Sequence, residues 1–141
     1  MKTILLITLL LTLLAPPKSG YTLLSPIDFY EGIFEDITGI LLDVRLYEDY
    51  KEMRIKGAVW AGEKVVLIEI LKDVGKEQNI YLYCYEGRAR GKAVIDILLE
   101  KEYKNIFFLK GGFNGWVKKG FETDKTKISK LSLSGDRGKK R

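Results

Sequence analysis

Short apolar runs alternate with helical stretches along the middle of this chain, and that alternation constrains the fold more than any other feature. Ile40-Leu41-Leu42-Asp43-Val44, Ile80-Tyr81-Leu82-Tyr83-Cys84 and the run from Ile106 to Leu109 read as buried strands. Helical signals lie between them. Ser25-Pro26 sets an N-cap residue before a proline at the first helical position, with Ile27, Tyr30 and Ile33 or Phe34 following at helical spacing. Tyr47 to Met53 is a short charged helix broken by Lys56-Gly57-Ala58, and Lys64 to Val74 repeats apolar residues with a helical period. Lys92 to Glu102 gathers Ala93, Val94, Ile97 and Leu98 on one face, and Phe113, Trp116 and Val117 form a last short helix after the Gly111-Gly112 turn. Strands separated by helices need crossover connections. The pattern therefore predicts an α/β fold with a mainly parallel central sheet of about five strands and helices on both faces.

The two ends differ from this middle. Met1 to Gly20 begins with Lys2, runs apolar from Ile4 to Leu14 apart from Thr8 and Thr12, and stops at Pro16-Pro17. An apolar core of 11 residues is shorter than the roughly 20 that span a bilayer. It has the length of a secretory h-region. Residues 1–20 are therefore expected to be a signal peptide or, because the cleavage site is poor, an N-terminal membrane tether. The expectation is export to the periplasm or cell envelope, with membrane association through a retained N-terminus. Of the net charge of +5, residues 122–141 contribute seven Lys/Arg against three Asp/Glu, whereas Tyr21 to Phe121 holds 15 against 16. A basic polar tail from 122 to 141, expected to be flexible, thus follows a near-neutral domain over 21–121. Nucleic acid is not an expected partner, because the positive charge forms no face of the domain. The chain is expected to act as a monomer.

The sequence has no histidine and one cysteine, Cys84. This removes histidine general bases, Ser-His-Asp triads, histidine metal sites and any disulfide within the chain. Cys84 ends a strand, and the polar stretch Tyr85-Glu86-Gly87-Arg88-Ala89-Arg90-Gly91 leads into a helix. Sites in open α/β sheets form at the carboxyl ends of strands. Backbone N–H groups entering a helix cradle an anion, Gly87 permits a tight curve, and Arg88 and Arg90 add positive charge. The same field favours the thiolate, the form that attacks. A small buried hydrophobe is the plainer reading of a lone cysteine, and the flanking arginines argue against it.

Three ordered blocks resemble the rhodanese family. Leu41-Leu42-Asp43-Val44-Arg45, Tyr50 and Ile55-Lys56-Gly57-Ala58-Val59 are similar to its first signature. Leu82-Tyr83-Cys84-Tyr85-Glu86-Gly87 is similar to its active-site strand and loop. Tyr103-Lys104-Asn105-Ile106, Leu109-Lys110-Gly111-Gly112-Phe113, Trp116 and Gly120-Phe121 are similar to its C-terminal signature. The likeness covers about residues 22–121, and with the leader the chain is most similar to small exported single-domain members. The resemblance implies a sulfurtransferase. Cys84 would take sulfane sulfur from a donor such as thiosulfate as a persulfide, then pass it to cyanide or a thiol. It also implies that the amides of Tyr85 to Arg90 hold the donor with help from Arg88, that Asp43 and Arg45 form an ion pair supporting the loop, and that no metal or organic cofactor is needed.

The chain departs from the pattern at Met53-Arg54, at Ala89 where many members carry arginine, and at Glu86, an acid inside an anion loop. A less anionic donor, a persulfide or a protein partner then becomes an alternative to thiosulfate. Two further readings stay open. Cys84 and Arg90 have the C-x5-R spacing of cysteine-dependent phosphatases and arsenate reductases, although Tyr83 stands where the rhodanese-fold phosphatases have histidine. A non-catalytic binding module on the same fold is the other.

Overall fold

The computed structural model describes residues 20–86 and 88–126. The expected leader and Gly87 of the loop fall outside those residues, Gly20 excepted, as does the tail beyond Thr126. Twelve elements run in the order β1 (Thr22–Leu24), α1 (Pro26–Glu35), β2 (Ile40–Asp43), α2 (Tyr47–Glu52), β3 (Met53–Ile55), β4 (Val59–Trp60), α3 (Lys64–Leu71), β5 (Asn79–Tyr83), α4 (Ala89–Glu100), β6 (Asn105–Leu109), α5 (Gly112–Lys118) and β7 (Thr123–Lys125). Five strands form one parallel sheet in the order β1-β6-β5-β2-β4, and β3 pairs antiparallel with β7. The α/β architecture with a parallel five-stranded sheet agrees with the alternation of the sequence.

Strand alternation builds two cores. Leu42 of β2, Ile80 and Leu82 of β5, and Val44 and Cys84 just past those strands face one side, where they meet Leu67 and Leu71 of α3 and Val94, Ile95 and Leu98 of α4. Leu41, Tyr81 and Tyr83 face the other side with Phe29 of α1 and Phe113 and Trp116 of α5. Helices thus cover both faces, as parallel sheets require. One core is mainly aliphatic and the other mainly aromatic. Among the described residues no helix is long and apolar enough to cross a membrane.

Local signals behave as the residues dictate. Ser25 Oγ accepts from the Asp28 N–H at 3.1 Å and caps α1, with Pro26 at the first position. Several helices end one to three residues before the expected bound, α3 at Leu71 and α4 at Glu100 among them, and two further differences bear on the site and the tail. The expected polar loop through Gly91 is shorter, because α4 starts at Ala89, and the Lys92 N–H closes its first turn on the Arg88 carbonyl at 3.0 Å. Gly91 belongs to that turn because the helix passes close over the sheet. A Cβ there would stand 2.3 Å from Phe108 Cζ. At the other end, Thr123–Lys125, expected as the start of the tail, pairs with β3, so cross-strand hydrogen bonds hold a segment whose composition alone reads as solvated. Lys56 Nζ lies 3.5 Å from a Glu122 carboxylate oxygen beside that pairing.

Candidate active site

β5 carries Cys84 to the carboxyl end of the sheet, one residue past the strand. Its side chain is only 3% exposed. The Arg88 N–H is directed at the sulfur, with the nitrogen 3.3 Å from Sγ. Gly91 presses in from the first turn of α4, where a Cβ would lie 3.4 Å from Sγ. The sulfur is therefore seated against backbone, at the head of a 12-residue helix whose first amides favour negative charge.

The loop is fastened on two sides. On the α5 side, the Phe113 N–H donates to the Cys84 carbonyl at 2.8 Å and the Asn114 N–H to the Tyr85 carbonyl at 3.0 Å. Gly112 makes that approach possible. Its φ is +57°, and a Cβ would stand 2.5 Å from the Tyr85 carbonyl group. On the α2 side, the Tyr85 hydroxyl donates to the Asp49 carboxylate and accepts from the Leu46 N–H at 3.3 Å. Burial and the Asp49 hydrogen bond both raise the pKa of the Tyr85 phenol, which keeps its proton.

Beneath the loop lies a buried polar network. Asp43 and Arg45 are 0% and 3% exposed. Arg45 donates from Nε and Nη2 to the Asp43 carboxylate, with Nη2–Oδ2 at 2.7 Å, and from Nη2 to the Met53 carbonyl at 2.6 Å. Its guanidinium carbon lies 3.8 Å from the Phe113 ring centre. Burial opposes the Arg45 charge, but hydrogen bonding and attraction to Asp43 prevail and the pKa is raised. Tyr83, directly before the cysteine, donates to Asp43 Oδ2 at 2.7 Å and accepts from the Ile55 N–H at 3.0 Å. Burial pushes the Tyr83 phenol well above its ordinary range, and the neighbouring Asp43 charge adds to the effect.

Of the residues singled out in the sequence, Cys84, Tyr85, Glu86 and Arg88 share this loop, and Asp43 and Arg45 pair below it. Gly87 lies outside the described residues. Ala89 and Arg90 stand in the first turn of α4 and not in a loop. Arg90, the cation of the C-x5-R spacing, is exposed, and its Nη1 lies 3.5 Å from the Gly62 carbonyl. Sequence reasoning missed Tyr83, Asp49, Phe113 and Asn114 as partners, since each contact depends on how distant segments meet. Among the described residues no group of three or more His, Cys, Asp or Glu is placed to hold a metal ion.

A parallel sheet that delivers one cysteine to a helix entrance defines a single-cysteine α/β domain. Residues 25–119 match the family described as "Rhodanese-like domain", and the chain belongs to that family. It is 32% identical over 88 residues to Thiosulfate sulfurtransferase GlpE of Haemophilus influenzae, covering 62% of this chain and 81% of that one. With the protein of the same name from Coxiella burnetii it shares 31% identity over 77 residues, 55% of this chain and 70% of the other. Among solved structures, the BH2092 protein of Bacillus halodurans has the same fold, with a TM-score of 0.63 and 24% identity over 74% of this chain and 77% of that one.

Proposed function

We propose that the protein is a sulfurtransferase that carries sulfane sulfur on Cys84 from a donor such as thiosulfate to cyanide or a thiol. The observation that carries this reading is the Arg88 N–H aimed at a buried Sγ, 3.3 Å away. A fixed amide donor there meets negative charge on the sulfur as it attacks and as it leaves, without having to reorganise during reaction. Relatives named as thiosulfate sulfurtransferases support such activity in general terms.

In the first half-reaction the Cys84 thiolate attacks the outer sulfur of thiosulfate. The sulfur–sulfur bond breaks and sulfite leaves with its electron pair. In the second, an acceptor attacks the outer sulfur and Cys84 returns to the thiolate. Arg88 lends positive charge at the donor site, and the Asp43–Arg45 pair holds the loop from below. The leader-like residues 1–20 support placing this activity in the periplasm or cell envelope.

The test is thiocyanate formation from thiosulfate and cyanide by the purified protein, with Cys84→Ala in parallel. The wild type should gain one sulfur atom on Cys84 by mass and turn over. The variant should lose about 1,000-fold or more in rate. Turnover that survives in Cys84→Ala, or a wild type that neither takes up sulfur nor turns over, would overturn the assignment.

A further inference from the structure

The outer face of α2 has no partner. None of its six residues is buried, and a groove of about 490 Å³ runs along it, lined by Glu48, Asp49, Lys51, Glu52 and Thr126. That volume is within the range of roughly 300–1,000 Å³ that seats a ligand. Three carboxylates face a single ammonium in the lining. Lys51 Nζ lies 2.9 Å from Glu48 Oε2. Among the described residues Glu52 takes part in no ion pair. The stems of these side chains are aliphatic, so the groove joins an apolar floor to an excess of negative charge.

The chain itself leads into this groove. β7 pairs antiparallel with β3, with Lys125 opposite Met53, so the residues after Lys125 head back along α2 toward its first turn. The Thr126 hydroxyl donates to the Lys51 carbonyl and accepts from Arg54 Nη1 at 3.4 Å. These bonds turn the Thr126 side chain toward the helix. The sequence continues Lys127-Ile128-Ser129-Lys130-Leu131-Ser132-Leu133, with two cations and no acid before Asp136. A helix of six residues is about 9 Å long, which three extended residues cover. Side chains alternate along an extended segment. A segment that enters with Thr126 turned inward therefore presents Ile128 and Lys130 to α2, and Lys127 and Ser129 to water.

We propose that the groove along α2 is the docking surface for residues 127–131 of the same chain, with Ile128 on the aliphatic stems of Glu48, Lys51 and Glu52, and Lys130 paired with Glu48 and Asp49. Each exposed ion pair is weak by itself. A segment already held at the mouth of the groove by Thr126 needs no free association, so weak contacts suffice to seat it. Asp49 also accepts from the Tyr85 hydroxyl. Lys130 thus gives a second partner to the carboxylate that holds the cysteine loop on the α2 side. The proposal stands whether or not Cys84 carries sulfur.

Limited trypsin digestion of the full chain, followed by mass, tests it by comparing cleavage after Lys130 with cleavage after Arg137 in the same molecules. A docked segment is cut only in proportion to the time it spends released. Glu48→Gln should speed cleavage after Lys130 about threefold, the scale of one exposed ion pair, and leave Arg137 unchanged. Ile128→Asn, placed outside the folded domain, should do the same, while Lys127→Gln on the outward side should leave the rate after Lys130 unaltered. Added salt should narrow the gap between wild type and Glu48→Gln. A carbodiimide should also join Lys130 to Glu48 or Asp49 within one molecule when light- and heavy-isotope proteins are mixed. Equal cleavage after Lys130 in wild type, Glu48→Gln and Ile128→Asn would overturn the proposal. So would variants that move Lys130 and Arg137 alike, or cross-links found only between light and heavy molecules, which would place a second copy's segment in the groove.

Discussion

Two tyrosines of β5, Tyr81 and Tyr83, lie on the same face of the sheet and each donates to an aspartate, yet the two pairs live in different surroundings. Tyr81 reaches Asp36 Oδ2 at 3.3 Å near the start of β2. Asp36 is part-exposed and its other partners are neutral donors: Asn79 Nδ2 at 2.6 Å, the Thr38 hydroxyl at 3.0 Å, and the Thr38 and Gly39 N–H groups at 3.1 and 2.9 Å. Tyr83 reaches Asp43 Oδ2 at 2.7 Å at the other end, where Asp43 is fully buried and Arg45 supplies a counter-charge. Near water, dipoles suffice to hold a carboxylate. Deep in the fold an anion needs a cation, and the cation needs partners of its own. Arg45 finds them in the Met53 carbonyl and the Phe113 ring. The buried pair thereby joins β2, β3, β5 and α5 beneath the cysteine loop, while the part-exposed pair ties one turn to the start of β5.

Removing each aspartate should separate the pairs most sharply. Asp43→Ala strands a buried guanidinium and should lower unfolding free energy by about 3–5 kcal/mol. Asp36→Ala, losing solvated hydrogen bonds, should lower it by about 1–2 kcal/mol. Urea denaturation compares the two directly. Equal losses would break the distinction between them.

Removing the tyrosine hydroxyls is a gentler version of the same comparison. Tyr83→Phe deletes a bond to a buried carboxylate and leaves the Ile55 N–H without its partner, a loss of about 2 kcal/mol. Tyr81→Phe deletes one long hydrogen bond and should lose about 0.5 kcal/mol. The sign of the alkaline response follows from the raised folded-state pKa of Tyr83. The unfolded phenol releases its proton near pH 10 while the folded one keeps it. The Tyr83 contribution is thus complete below about pH 10 and is lost as pH rises above it. Stability measured against pH should therefore fall less steeply on the alkaline side in Tyr83→Phe than in wild type. An identical alkaline limb would mean that the native phenol is not shielded.

These contrasts also show what could be read beforehand. β2 and β5 were legible because strands buried on both faces are continuous apolar runs, and the place of Cys84 at the head of the loop was legible because that run stops beside it. The Asp43–Arg45 pairing was legible through the family resemblance. β1 and β4 were not, being three and two residues long and part-exposed. They are strands because neighbours supply hydrogen bonds, and composition does not record that. Tyr83 was missed for a related reason. Alternation puts it opposite Cys84, but its partner depends on the register that sets Asp43 beside Tyr83. Asn114 and Asp49 meet the loop from 28 and 36 residues away in sequence, a distance no local pattern spans. Gly91 read as a loop residue because glycine usually marks a break. Here it permits a helix to touch a sheet.

The smallest effect sharpens the comparison at the exposed end. The pKa of Asp36 is lowered, chiefly by the Asn79 hydrogen bond, with burial opposing and the Thr38 and Gly39 donors assisting. A depressed carboxylate stabilises the fold above its unfolded pKa, close to 3.9, and that contribution is lost as pH falls through the lower folded value, because the unfolded chain takes up its proton first. Asn79→Ala removes the largest cause without touching the charge. The variant should therefore lose less stability than wild type between neutral pH and about pH 3, even if both are equally folded at neutral pH. Denaturant midpoints at the two pH values measure the difference. If the acid limb is the same in both, the Thr38 and Gly39 donors hold Asp36 alone, and the exposed pair depends on its own turn and not on β5.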